Sequence, residues 1–266
     1  MPYFSTIHRF HYTEKVNEGP IVLMIHSTGV GSWQWKPYFE TMPSRHCITV
    51  DLLGYPPSDT FSSTFAIEAD FEALGVLLSQ QEKKVDIIGH SYGGFLAMQL
   101  AKKYPSSIRS LLLHEPVAWG ALFDGNRIDL QKEFLALCDR FFQETSPQAD
   151  KWLNVFIDYW NREGTWIALP ERTKEIWRKQ FDKVYAEVKH LCLDRTPLAY
   201  WETIEHPTWI TLSKHAPAHE KEVCHLLSTT IPNAKLIHHK GGHLAPLTHF
   251  SEVAPIVEKW SKDQLS

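Results

Sequence analysis

The stretch Gly89-His90-Ser91-Tyr92-Gly93 places a serine two residues from a glycine on either side. A serine hydroxyl is a weak nucleophile until a base removes its proton, so the chemistry it offers is acyl transfer with a paired histidine. With glycine at about 7% of positions, chance puts such a pentapeptide in a chain of this length about one time in ten, so the bare pattern decides little. Its surroundings decide more. An apolar run, KVDIIGH (84–90), precedes it, and a helix-forming run, GGFLAMQLAKKYP, follows at once. Strand, tight turn and helix are the context in which a nucleophile is lifted above a sheet edge, at the positive end of the next helix. The competing reading is a glycine-rich turn with a bystander serine.

The base for Ser91 should stand late in the chain, on a loop after the last strand. The segment KGGHLAPLTHF supplies His243 there, with Gly241 and Gly242 free to bend the loop toward Ser91. His238, His239 and His249 lie on the strand or at the next helix start. A tetrahedral intermediate also needs backbone N–H donors for its oxyanion. Tyr92, following the nucleophile, is one candidate; the other should follow the first core strand, where HSTGVGSWQW (26–35) stands.

These residues need a framework. Short apolar runs at 20–26, 46–52, 84–90, 108–115, 207–213 and 234–240 alternate with helical patterns, which predicts an α/β fold with a mostly parallel sheet and helices on both faces. From 117 to 205 the strand rhythm stops. Helical patterns recur at 127–144, 148–162, 171–190 and 195–204, and a last helix is expected at 250–262. The organisation read from this is a core domain of 1–116 and 206–266, with a helical cap of 117–205 inserted between two core strands.

Composition narrows the function classes. A chain of 266 residues, 43% hydrophobic, is long enough for one large domain with an insertion. A net charge of −4 offers no basic footprint for nucleic acid. No apolar run approaches the ~20 residues of a membrane span, and the N-terminal segment has no secretory pattern. Cys47, Cys138, Cys192 and Cys224 are scattered without a CxxC pair, which reads as free thiols in a reducing, cytoplasmic setting. Of the fifteen histidines, His238-His239 and His215 with His219 are nearest to ligand spacing, but Pro217 interrupts the second pair. No metal and no organic cofactor are expected.

Taken together, IHSTGVGSWQW after an early strand, DLLGYPPSD after the next, GHSYGG at the turn and GGHLAP before the last helix resemble the α/β-hydrolase fold superfamily, in that family's order and over nearly the whole core. The resemblance implies that Thr28 gives the second oxyanion N–H, although Ser27 stands where the family has glycine. It also implies a triad acid after the penultimate core strand. That position falls on Ala216 here, within PTWITLSKHAPAHE, and no Asp occurs between Pro207 and Ala245. Some members place the acid one core strand earlier. In this chain that is Glu115, in a setting similar to the zearalenone lactonases and to certain haloalkane dehalogenases. Glu220, Glu222 or no working acid remain the alternatives.

The expected function is a serine hydrolase cleaving a carboxylic ester or lactone of an apolar small molecule through an acyl-enzyme, with Ser91, His243 and Glu115 as the triad. C–C or thioester hydrolysis with the same triad, and a non-catalytic binding protein on the same fold, are the alternatives. Dehalogenases and epoxide hydrolases of the fold use an Asp nucleophile, against which Ser91 argues. Trp119, Trp152, Trp160, Trp166, Trp177 and Trp201 crowd the inserted segment and suggest an apolar cleft. Trp33 and Trp35 are expected to extend its wall, and Trp33, Trp119 and Tyr92 are the expected substrate-binding side chains. The chain is expected to act as a monomer or homodimer on a small-molecule partner.

Overall fold

The computed structural model describes residues 3–5, 8–60, 66–125, 127–142 and 148–265. Eight strands form one sheet: β1 (Tyr3–Ser5), β2 (Arg9–Lys15), β3 (Ile21–Ile25), β4 (His46–Val50), β5 (Val85–His90), β6 (Ile108–His114), β7 (Thr208–Ser213) and β8 (Ala234–His239), in the order β1-β2-β4-β3-β5-β6-β7-β8. The six from β4 to β8 in that order run parallel, while β1 and β2 add an antiparallel edge. That antiparallel edge is an addition to the strands read from the sequence, because RFHYTEK alternates without a continuous apolar run.

The alternation of side chains along each strand sorts the core into two faces. Leu23, Ile25, Ile87, Leu111, Leu113 and Ile210 face one apolar cluster; Val22, Met24, Ile88, Leu112 and Trp209 face the other. The central strands therefore read as near-continuous apolar runs, as a sheet covered on both sides requires. The first face is covered by α1 (Ala66–Ser79) and α2 (Tyr92–Lys103), the second by Tyr38 and Phe39 of a 3-10 turn and by the C-terminal helix.

Between β6 and β7 the described residues hold only helices: α3 (Ile128–Phe142), α4 (Ala149–Trp160), α5 (Thr165–Ala168), α6 (Glu171–Lys179), α7 (Phe181–Leu193) and α8 (Leu198–Trp201), after a 3-10 turn at Trp119–Phe123. The expected helix 171–190 is two helices, Glu171–Lys179 and Phe181–Leu193, that meet at Gln180. The expected helix at 195–204 shortens to four residues, since Pro197 supplies its start and the chain must turn into β7. Positions 143 and 144 of the expected helix 127–144 lie outside the described residues. After β7 follow α9 (Ala218–Thr230), β8, α10 (Ala245–Thr248) and α11 (Phe250–Asp263). The four cysteines are buried free thiols. Among the described residues no helix is long and apolar enough to cross a membrane.

Candidate active site

Strand β5 ends at His90 and α2 starts at Tyr92, which leaves Ser91 alone in the turn with φ 55° and ψ −117°. A β-carbon on Gly89 would lie 2.4 Å from the Gly93 carbonyl oxygen, and one on Gly93 would lie 2.4 Å from that of Ile25. Both distances are shorter than any real contact, so the two glycines are what let the turn close. The Ser91 N–H donates to the His114 carbonyl at 2.9 Å, which ties the turn to the neighbouring strand β6.

Just past β6, Glu115 adopts the second positive φ among non-glycine residues, 44°. Its N–H donates to the Thr211 carbonyl at 3.2 Å, and its carboxylate is fully buried. One oxygen accepts the Ser213 N–H at 2.8 Å; the other meets His243 Nδ1 at 2.8 Å. An ionised carboxylate only accepts, so Nδ1 carries a proton, and in the neutral ring the lone pair is then on Nε2. Burial by itself raises the pKa of Glu115. The His243 hydrogen bond, the nearby imidazoles and the Ser213 N–H outweigh it and bring the carboxyl down to about 2. The group is a carboxylate at any ordinary pH.

The loop carrying His243 is held from below. Its carbonyl accepts from His90 Nε2 at 2.8 Å and from His114 Nε2 at 3.1 Å. Burial pushes both of those imidazoles well below their usual pKa, so they are neutral donors. From above, Trp160 stacks on the His243 ring with centroids 3.6 Å apart and planes 18° from parallel.

Ser91, His243, Ser27 and Thr28 open onto one cavity. The remaining wall comes mostly from the segment between β6 and β7 and is apolar: Val117, Trp119, Phe156, Ile157, Trp160, Trp177, Val188 and Leu191, with Leu244 beside His243 and Asn161 as a polar exception. Three of the six tryptophans of that segment thus face the cavity. Trp152, Trp166 and Trp201 are buried in the packing between helices instead.

Two expected substrate-binding side chains lie elsewhere. Trp33 is 57% exposed and lines a separate outer cleft with Ile176 and Lys179, because the 3-10 turn Ser32–Gln34 carries it past the loop and outward. The Tyr92 ring is fully buried and its hydroxyl donates to Asp70 at 2.9 Å; the first turn of α2 aims it under the cavity floor, leaving only its backbone N–H beside Ser91. Trp35 is buried in the apolar cluster on the far face of the sheet.

The other carboxylates have different partners. Glu220, on α9, accepts from Trp119 Nε1 at 3.2 Å and from Cys224 Sγ at 3.5 Å. Burial, with the nearby Glu115 charge, pushes its pKa well above the usual range. Glu222 pairs with Arg127. Ala216, at the position where the resemblance implied an acid, is a buried apolar side chain.

For a metal, the ligand atoms of His114, Glu115 and His239 lie within 4.8 Å of one another. Both ring nitrogens of His114 and both Glu115 oxygens already have partners in the protein, so an ion there would compete with those bonds.

Sequence reasoning missed Trp160 as the partner of His243; a tryptophan at a helix end carries no local mark of what it will cover. It also missed a buried polar group beneath Thr28, formed by Tyr55, Asp70, Lys183 and Glu187, whose members are far apart in the chain.

Comparison with known proteins places this geometry. Lipase LipV of Mycobacterium tuberculosis is 28% identical over 138 residues, 52% of this chain and 51% of that protein. An uncharacterised protein of the same organism is 32% identical over 113 residues. The chain spans a third to a half of the length of these first curated relatives. Among solved structures, a meta-cleavage product hydrolase (CumD) from Pseudomonas fluorescens superposes with a TM-score of 0.72 at 16% identity, over 96% of this chain and 95% of that one. That likeness is one of fold. The sequence model described as the alpha/beta hydrolase family matches residues 22–256, which takes in the turn at Ser91, Glu115 and the His243 loop, and by that match the chain belongs to the alpha/beta hydrolase family.

Proposed function

We propose that the chain is a serine hydrolase that cleaves a carboxylic ester or lactone of an apolar small molecule. The observation that supports this reading most is the buried 2.8 Å contact between Glu115 and His243 Nδ1, on the same cavity as a serine in a strained strand-to-helix turn.

Ser91 Oγ attacks the acyl carbon while His243 Nε2 takes its proton. Glu115 holds the imidazole in the right tautomer and stabilises the imidazolium as it forms. The oxyanion of the tetrahedral intermediate is received by the backbone N–H groups of Thr28 and Tyr92. Collapse expels the alcohol, protonated by His243, and leaves an acyl group on Ser91. Water, deprotonated by His243, attacks that ester and regenerates the serine. For a lactone, the expelled alcohol stays part of the same product molecule. No step needs a metal or an organic cofactor.

The helices of 117–205 act in this reading as a cap. Their tryptophans supply apolar surface for the acyl or alcohol portion, which favours substrates without charge near the scissile bond. Esterase and lipase names among the relatives, and the enol-lactonase of Burkholderia xenovorans among the structural neighbours, fit the same bond class.

The test is hydrolysis of a short-chain p-nitrophenyl ester, together with covalent labelling by a fluorophosphonate. Turnover and labelling in the wild type, both abolished in Ser91→Ala, support the reading. Ester hydrolysis that survives Ser91→Ala overturns it.

A further inference from the structure

A buried charge cluster lies between α7 and the loop that follows β3. Lys183 and Glu187 come from α7, Asp70 from α1, and the side chains of all three are at most 1% exposed. Lys183 Nζ donates to Asp70 and stands 3.5 Å from Glu187. Taking three charges out of water is costly, and apolar residues of similar volume often do as well for stability. What the cluster touches gives it a use.

Tyr55 is fully buried, and its hydroxyl donates to Glu187 Oε2 at 2.9 Å. The Tyr55 hydroxyl oxygen in turn accepts the Gly29 N–H at 2.9 Å. A phenol has one proton; once a carboxylate takes it, the lone pairs are free to receive the backbone donor. Across the cluster, Asp70 accepts the Tyr92 hydroxyl at 2.9 Å. Both residues assigned above as oxyanion donors are therefore tied to it, Thr28 through its neighbour Gly29, and Tyr92 through its own side chain.

We infer that Glu187 and Tyr55 are positioning residues for the oxyanion loop: the α7 carboxylate orients the Tyr55 hydroxyl, and that hydroxyl fixes the peptide next to Thr28. The oxyanion site is then complete only when α7 of the inserted segment is seated on the core. This rests on the hydrolase reading for its catalytic consequence, but the positioning itself is independent of it. Burial pushes the Glu187 carboxyl up to about 7, opposed by Lys183, Thr28 and Tyr55.

The test uses Tyr55→Phe, Glu187→Leu and Glu187→Gln. Tyr55→Phe is nearly isosteric and strands no charge, so it carries the test if Glu187→Leu fails to fold. Glu187→Gln keeps an acceptor oxygen for Tyr55 and serves as the conservative rescue. Amide hydrogen exchange over residues 26–31 is measured by mass spectrometry, with kcat and KM for p-nitrophenyl acetate. The expected result is faster exchange over 26–31 in Tyr55→Phe and Glu187→Leu, with strands β7 and β8 unchanged. The kcat of both falls about 10- to 100-fold, the cost of a small misplacement, with KM within about twofold. Glu187→Gln stays within about threefold of wild type. Unchanged loop exchange in Tyr55→Phe, or altered exchange with kcat unchanged in an active enzyme, overturns the inference. A wild type inert toward the ester and the fluorophosphonate, with loop exchange still responding, sinks the hydrolase reading and leaves the positioning role standing.

Discussion

Trp160 lies flat on His243, ring centroids 3.6 Å apart, so the residue is held between an indole above its ring and the His90 and His114 donors that bind its carbonyl. The indole face is the electron-rich side of the ring. In the proposed mechanism it would favour the imidazolium formed when His243 takes the Ser91 proton.

From that stack follows the first prediction. An aromatic stack is worth about 0.5–1.5 kcal/mol beyond its buried area. If it acts on the charged form of His243, Trp160→Leu lowers kcat about 2- to 12-fold on a p-nitrophenyl ester small enough not to need the tryptophan for binding. Trp160→Phe keeps most of the rate. Equal rates in wild type and Trp160→Leu would show the indole to be cavity wall only.

Removing the charge of Glu115 while keeping its shape tests the acid. Glu115→Gln is expected to lower kcat by roughly 10²- to 10⁴-fold, of the order seen when a triad acid is neutralised. Gln still accepts the Ser213 N–H, so the thermal midpoint should move little compared with Glu115→Ala. A Glu115→Gln enzyme near wild-type speed would make Glu115 structural.

The same carboxyl predicts a pH dependence of stability. Its folded pKa, about 2, lies below the 4.5 of a free glutamate, so its contribution is full above pH 4.5 and is lost as pH falls toward 2. Urea unfolding between pH 7 and 2 should show wild type losing stability over this window more steeply than Glu115→Gln. Parallel curves would mean that the carboxyl titrates alike in both states.

Glu220 behaves in the opposite sense. Burial, with the Glu115 charge nearby, pushes its carboxyl well above the usual carboxylate range. Glu220→Gln keeps the acceptor for Trp119 and the shape of the side chain, and is expected to change both stability and kcat by less than about threefold. A large loss of activity at unchanged stability would give Glu220 a place in the chemistry.

Gly93→Ala probes the turn. The added methyl would sit 2.4 Å from the Ile25 carbonyl, which is backbone and has no room to yield. Loss of soluble protein, or a destabilisation of more than about 2 kcal/mol, is expected; a fold as stable as wild type would mean that the turn relaxes.

The residues that do not depend on distant partners were legible in the chain itself. GHSYGG marks its own turn because the two glycines, the strand before and the helix after are contiguous, and the alternating apolar runs state a covered parallel sheet. Ser91 and the His243 loop follow from that order of elements alone. Which carboxylate meets His243 was decided by tertiary structure. Glu115, Glu220 and Glu222 are equivalent as letters; β6 and β7 pairing in register puts Glu115 against Ser213 and His243, while α9 turns Glu220 to Trp119 and Glu222 to Arg127. The tryptophans and Tyr92 were misallocated in part for the same reason. A large apolar side chain is buried wherever it fits, and only the packing of α4, α6 and α7 over the core decides that Trp160 and Trp177 face the cavity while Trp33 looks outward and Tyr92 points beneath it.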